Sequence, residues 1–129
     1  MLKFLIPLIL TLQFNQKQYC VINAAGRPRC EFPERQNTYF KVQEDKIEEW
    51  VDSTYNVTLY IKETSQEVYE GDTVISFTTS IDLKERGDEY VIVHINKSCN
   101  ELRLFRFYQG AQEIWTFYNI EQKKKLKTE

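Results

Sequence analysis

Polar and apolar positions alternate over most of the chain, and a period of two marks half-buried strands. The clearest run spans residues 56–62. Val57, Leu59 and Ile61 face one way, while Asn56, Thr58, Tyr60 and Lys62 face the other. Residues 38–43 repeat the pattern with Phe40 and Val42 inward, and residues 73–79 place Ile75 and Phe77 on one face. Residues 102–108 set Leu102 and Leu104 against Arg103, Phe105 and Phe107; residues 113–120 set Trp115 and Phe117 against Ile114, Thr116 and Tyr118. A short strand is expected at 19–22. Residues 90–95 are apolar on both sides except at His94, which predicts a central strand. Turn formers separate these runs: Gly26 with Pro28, Pro33, Glu70-Gly71-Asp72, Arg86-Gly87-Asp88 and Gln109-Gly110.

One stretch breaks the alternation. Between residues 43 and 53, Ile47, Trp50 and Val51 have helical spacing, so either a short helix or a loop pinned by Trp50 is expected. Its carboxylates, Glu44, Asp45, Glu48 and Glu49, read as a solvated face. Short strands in series with turn signals between them predict an all-β domain, a seven-stranded β-sandwich.

The N-terminus has a different pattern. Lys3 precedes an apolar run from Phe4 to Leu12, the layout of a secretory leader. The run is too short to cross a bilayer, which needs about 20 apolar residues. The alternative is a buried N-terminal strand, against which Pro7 and the terminal position argue. The expected organisation is a leader over 1–18, a β-sandwich domain over 19–121 and a basic tail over 122–129. No second apolar run follows, so a soluble mature chain without a transmembrane segment is expected.

Composition narrows the function. Eight Tyr, eight Phe and two Trp suit pleated, half-buried surfaces. A net charge of -2 gives no electrostatic basis for binding nucleic acid. The one basic cluster, Lys123, Lys124, Lys125 and Lys127, reads as a solvated tail. Two sequons, Asn56-Val57-Thr58 and Asn96-Lys97-Ser98, are candidate N-glycosylation sites in a secreted chain. The three cysteines, Cys20, Cys30 and Cys99, favour one disulfide with one thiol left over. A Cys30–Cys99 bridge would close a loop of about 70 residues, worth about 4 kcal/mol in the chain-entropy picture. Cys20 would then pair between chains or stay free.

Little in the sequence points to catalysis. His94 is the one histidine, set in an apolar strand, where a satisfied core or edge role is expected. No close-set Cys or His pairs suggest zinc, and no acidic glycine-turn loop suggests calcium. Four glycines leave no phosphate-binding loop. Arg86-Gly87-Asp88 is the tripeptide of many integrin ligands, but it also reads as an ordinary charged turn. No catalytic residue, metal or cofactor is expected.

The stretch from Tyr19 to Asp45 resembles the nematode transthyretin-like family. The resemblance rests on a strand leading into Gly26-Arg27-Pro28-Arg29-Cys30, a turn at Pro33, the strand Thr38-Tyr39-Phe40-Lys41-Val42, then Glu44-Asp45. The run from Asp88 to Cys99 is similar to the family's apolar strand with its following His and Cys, and Ile114–Ile120 looks like its closing strand. Departures are Glu70-Gly71-Asp72 in place of an Asp-Gly turn, a poor fit from Asp52 to Ser65, and missing later cysteines. The resemblance implies a secreted transthyretin-like sandwich, with Cys30 and Cys99 at family cysteine positions. It also implies extracellular binding of a small hydrophobic molecule, a lipid or a cell-surface protein. It argues against the related hydroxyisourate hydrolases, which need several histidines and a Tyr-Arg-Gly-Ser end. The rival expectation is an immunoglobulin-like effector or venom-type protein, since Trp50 falls between Cys30 and Cys99.

Overall fold

The structure, a computed structural model, describes residues 10–81, 90–108 and 110–120. They form strands and turns with no α-helix. The strands are β1 (Leu10–Ile22), β2 (Pro28–Cys30), β3 (Glu34–Val42), β4 (Lys46–Val51), β5 (Thr54–Tyr69), β6 (Asp72–Ser80), β7 (Tyr90–Asn96), β8 (Glu101–Tyr108) and β9 (Ala111–Tyr118). Each stretch expected to be a strand coincides with one of them to within two residues at its end or lies inside it, and β2 and β4 are additional.

All nine strands belong to one antiparallel sheet rather than to the two facing sheets of a seven-stranded sandwich. The sheet runs as a meander from β3 to β9, and β9 returns to pair with β1 from Gln16↔Tyr118 to Ile22↔Gln112. The sheet therefore closes into a barrel-like ring, which removes most of its free edges. β1 makes closure possible because it is long enough to serve two neighbours. Its first half pairs with β3, and on the same side its last three residues pair with β2.

Shifts in register decide which side chains enter the ring. In β1 the register shifts between Phe14 and Gln16. Leu12 and Phe14 point inward before the shift; Lys17 and Tyr19, opposite Phe117 and Trp115, point inward after it. Across the shift Asn15 of β1 faces two residues of β3, Gln36 and Asn37. Asn15 is held by Ile120: its Oδ1 accepts from the Ile120 amide at 3.0 Å, and its Nδ2 donates to the Ile120 carbonyl at 3.3 Å. In β5 a second shift follows Ile61, beyond which the strand is largely exposed.

The core fills one half of the ring. Phe40 lies edge-on to Phe117 at 5.0 Å and to Phe14 at 6.2 Å, with Ile47, Val93 and Leu102 fully buried nearby. Edge-on rings of this kind add to the gain from burying their area.

Several expectations are corrected here. Residues 46–51 are strand β4, not a helix or a loop, and Glu49 faces inward, 7% exposed, so the acidic stretch is not a wholly solvated face. The disulfide joins Cys20 to Cys30, which face each other across β1 and β2; Cys99 is free and exposed in the turn after β7. β1 takes in residues 10–18 of the expected leader, with Leu12 and Phe14, 6% and 3% exposed, in the core. Residues 1–9, the Arg86-Gly87-Asp88 turn and the Lys123–Lys127 cluster lie outside the described residues. No described helix is long and apolar enough to cross a membrane.

Candidate ligand cavity

An eight-stranded ring has an interior just wide enough to be filled by side chains or to hold one small ligand. Here one half is filled and the other is hollow. The strand register defines two ends. Near one lie the turns after β3, β5 and β7, and the aromatic core occupies that half. Near the other lie the β1–β2 turn, the Asp52–Ser53 turn and Gly110, and there the interior is hollow. A cavity of about 310 Å3 opens at this end, within the size range of small-molecule sites. Its apolar wall includes Val57, Leu59, Val91, Leu104, Trp115 and Phe117, and three charged residues, Lys17, Glu49 and Arg106, also border it. A second hollow of about 250 Å3 shares Lys17 and Trp115 and reaches out to Glu31 and Phe32 in the segment after β2.

β8, β9 and β1 hold one side of the mouth rigid. Cross-strand pairing sets Arg106 opposite Glu113, and a guanidinium nitrogen lies 2.8 Å from the carboxylate. The Tyr19 hydroxyl donates to the other oxygen of Glu113. This bond, with burial behind it, pushes the Tyr19 phenol up to about 12. Burial acts to raise Glu113, but the hydrogen bonds from Tyr19 and Arg106 outweigh it and keep the carboxyl below its usual range. Trp115 is fixed between Tyr19, at 5.2 Å between rings, and the Arg106 guanidinium, at 5.7 Å from its ring.

The other side is less complete. Glu49 enters from β4, and Asn56 is the extra residue where the β4–β5 register shifts between Glu49 and Trp50. That shift turns Asn56 toward Glu49 and the cavity. Burial raises the Glu49 carboxyl above its ordinary value; the Lys17 charge and the Asn56 hydrogen bond pull it part of the way back. The sign of its pH effect follows. As pH climbs through 4.5, the unfolded chain gives up this proton more readily than the fold does, so stability is lost. Glu49→Gln removes the penalty. Urea unfolding should show the variant more stable than the parent at pH 7, with the gap closing toward pH 3.

The residues singled out from sequence do not gather here. His94 lies on the outer face of β7, edge-on to Tyr69 and Phe105, with its buried Nδ1 lacking a hydrogen-bond partner among the described residues, so it is not the satisfied histidine expected. Burial holds its imidazole below the ordinary value of 6.5. Asn96 caps the turn holding Cys99: its Oδ1 accepts from the amides of Asn100 and Glu101, and its Nδ2 donates to Asn100. Among the candidates only Asn56 borders the cavity, though not through its sequon. Lys17, Tyr19, Arg106 and Glu113 went unnoticed, and Glu49 was read as part of a solvated face. The alternating runs that carry Val57, Leu59, Leu104, Trp115 and Phe117 were the available signal for its apolar wall. No group of metal-binding side chains occurs among the described residues. Comparison with family models, curated proteins and solved structures finds no match for the chain.

Proposed function

We propose that this protein binds a small organic molecule in the open half of its barrel and acts outside the cell. One observation carries the reading: the ring is packed solid in one half and hollow in the other, with a cavity of about 310 Å3 that joins apolar wall to charged groups. Sites of this composition hold an apolar body while a few polar groups fix its orientation. The Cys20–Cys30 bridge supports an oxidising, extracellular setting. Binding rather than catalysis is favoured because His94 lies on the outer face and Cys99 in the turn beyond β7, both away from the cavity. The resemblance to transthyretin-like proteins leads to the same general reading of a secreted binding protein. The single closed sheet favours a barrel over that family's sandwich and over an immunoglobulin-like one.

The test uses Trp50→Phe, which leaves Trp115 as the one tryptophan. The uncharged dye N-phenylnaphthylamine should bind saturably at one site, brighten, and quench Trp115. Val57→Phe, which fills the cavity from β5, should weaken binding about tenfold or more, the equivalent of about 1.4 kcal/mol. Binding unaffected by Val57→Phe, or an unchanged Trp115 signal, would remove the cavity from the account.

A further inference from the structure

The charges around the cavity are arranged in a way that selects among small molecules. Arg106 and Glu113 neutralise one another at 2.8 Å, so the β8–β9 side presents no net charge. Among the described residues bordering the cavity, Lys17 and Glu49 remain. Both border the cavity, and Glu49 is 7% exposed. Each feels the other's field, yet no ion pair between them occurs among the described residues. They face the same hollow as a donor and an acceptor, with the Trp115 ring and the Leu104 side chain alongside.

This bears directly on the sign of the ligand's charge. A ligand cation would gain Glu49 but meet the ammonium of Lys17. A ligand anion would gain Lys17 but meet the carboxylate of Glu49. In a partly dry cavity either repulsion is strong, and burying a charge without a full partner is costly. A group with no net charge avoids both penalties and can use both residues, accepting from the Lys17 ammonium and donating to the Glu49 carboxylate.

We propose that the cavity selects an aromatic molecule without net charge that carries a hydrogen-bond acceptor and a donor side by side, as in an amide or lactam edge. The acceptor faces Lys17, the donor faces Glu49, and the aromatic body lies against Trp115 and Leu104. Charge discrimination here is repulsive as much as attractive: each residue excludes the ligand class that the other alone would recruit. The inference rests on the cavity being the binding site.

The experiment is calorimetric titration at pH 7 of three molecules with one ring system: naphthamide, naphthoate and naphthylmethylammonium. The native chain should bind naphthamide about tenfold or more tighter than either ion, a difference of about 1.4 kcal/mol. Lys17→Met should shift preference to naphthylmethylammonium, and Glu49→Gln to naphthoate. A native chain that prefers either ion would overturn the charge assignment while leaving the cavity as a binding site. So would variants that keep the parent's ranking. No binding of any of the three, together with no displacement of N-phenylnaphthylamine, would remove the cavity reading and this inference with it.

Discussion

A chain beginning at Tyr19 will not fold, whereas one beginning at Leu10 will. The shorter chain lacks the whole of β1 that pairs with β3, from Leu10↔Val42 to Lys17↔Glu34. It also loses Leu12 and Phe14 from the core, and β3 is left as a long unpaired edge. Removing one large core side chain costs about 2–5 kcal/mol, and small domains hold only about 5–15 kcal/mol in all. Two such losses combined with nine residues of missing strand exceed that reserve. Far-ultraviolet circular dichroism and urea unfolding of the two purified chains provide the check. A cooperative transition in the Tyr19 chain matching that of the Leu10 chain would mean that β1 is dispensable.

The second large effect is expected at Phe40. Its side chain is fully buried and lies edge-on to both Phe14 and Phe117. Phe40→Ala should lower the unfolding free energy by about 3–5 kcal/mol, from lost burial and from the cavity left among rings that cannot close over it. Phe32→Ala is the control. Phe32 is 94% exposed in the segment after β2, and its loss should change stability by no more than about 0.5 kcal/mol. Equal effects in the two variants would contradict the placement of the core.

What was legible in the sequence follows from what alternation encodes. Val57, Leu59 and Ile61 alternate without interruption and were read correctly as one face of a strand, as were Phe40 with Val42. Alternation reports a strand and its sides, but not the strand's neighbours. Closure rests on β1 meeting β9 across about a hundred residues of sequence, and nothing local distinguishes that from two facing sheets. β4 was missed because its inward residues are Ile47 and Glu49. A carboxylate on the inner face removes the hydrophobic signal and leaves Ile47, Trp50 and Val51 at a spacing that looks helical. The cavity was hidden for the same kind of reason. Lys17 points inward because the register shifts between Phe14 and Gln16; a strict alternation carried on from Leu12 and Phe14 would have placed Gln16 and Gln18 inside instead. The cysteine pairing turned on β2, three exposed residues that carry no apolar pattern, so the strand that brings Cys30 opposite Cys20 left no trace in the sequence pattern.

The closure of the ring also sets the order of assembly. During synthesis β1 emerges first and β9 last, so the second half of β1 has no partner on that side until the final strand has been made. The neighbouring pairs from β3 to β9 can form as hairpins while the chain grows, but the seam must wait. Joining two ends so distant in sequence is slow, and until it happens both strands offer unpaired backbone to any other chain nearby. The short Cys20–Cys30 loop can close long before the seam does, so oxidation would tie down one end of β1 and limit what the waiting strand can reach.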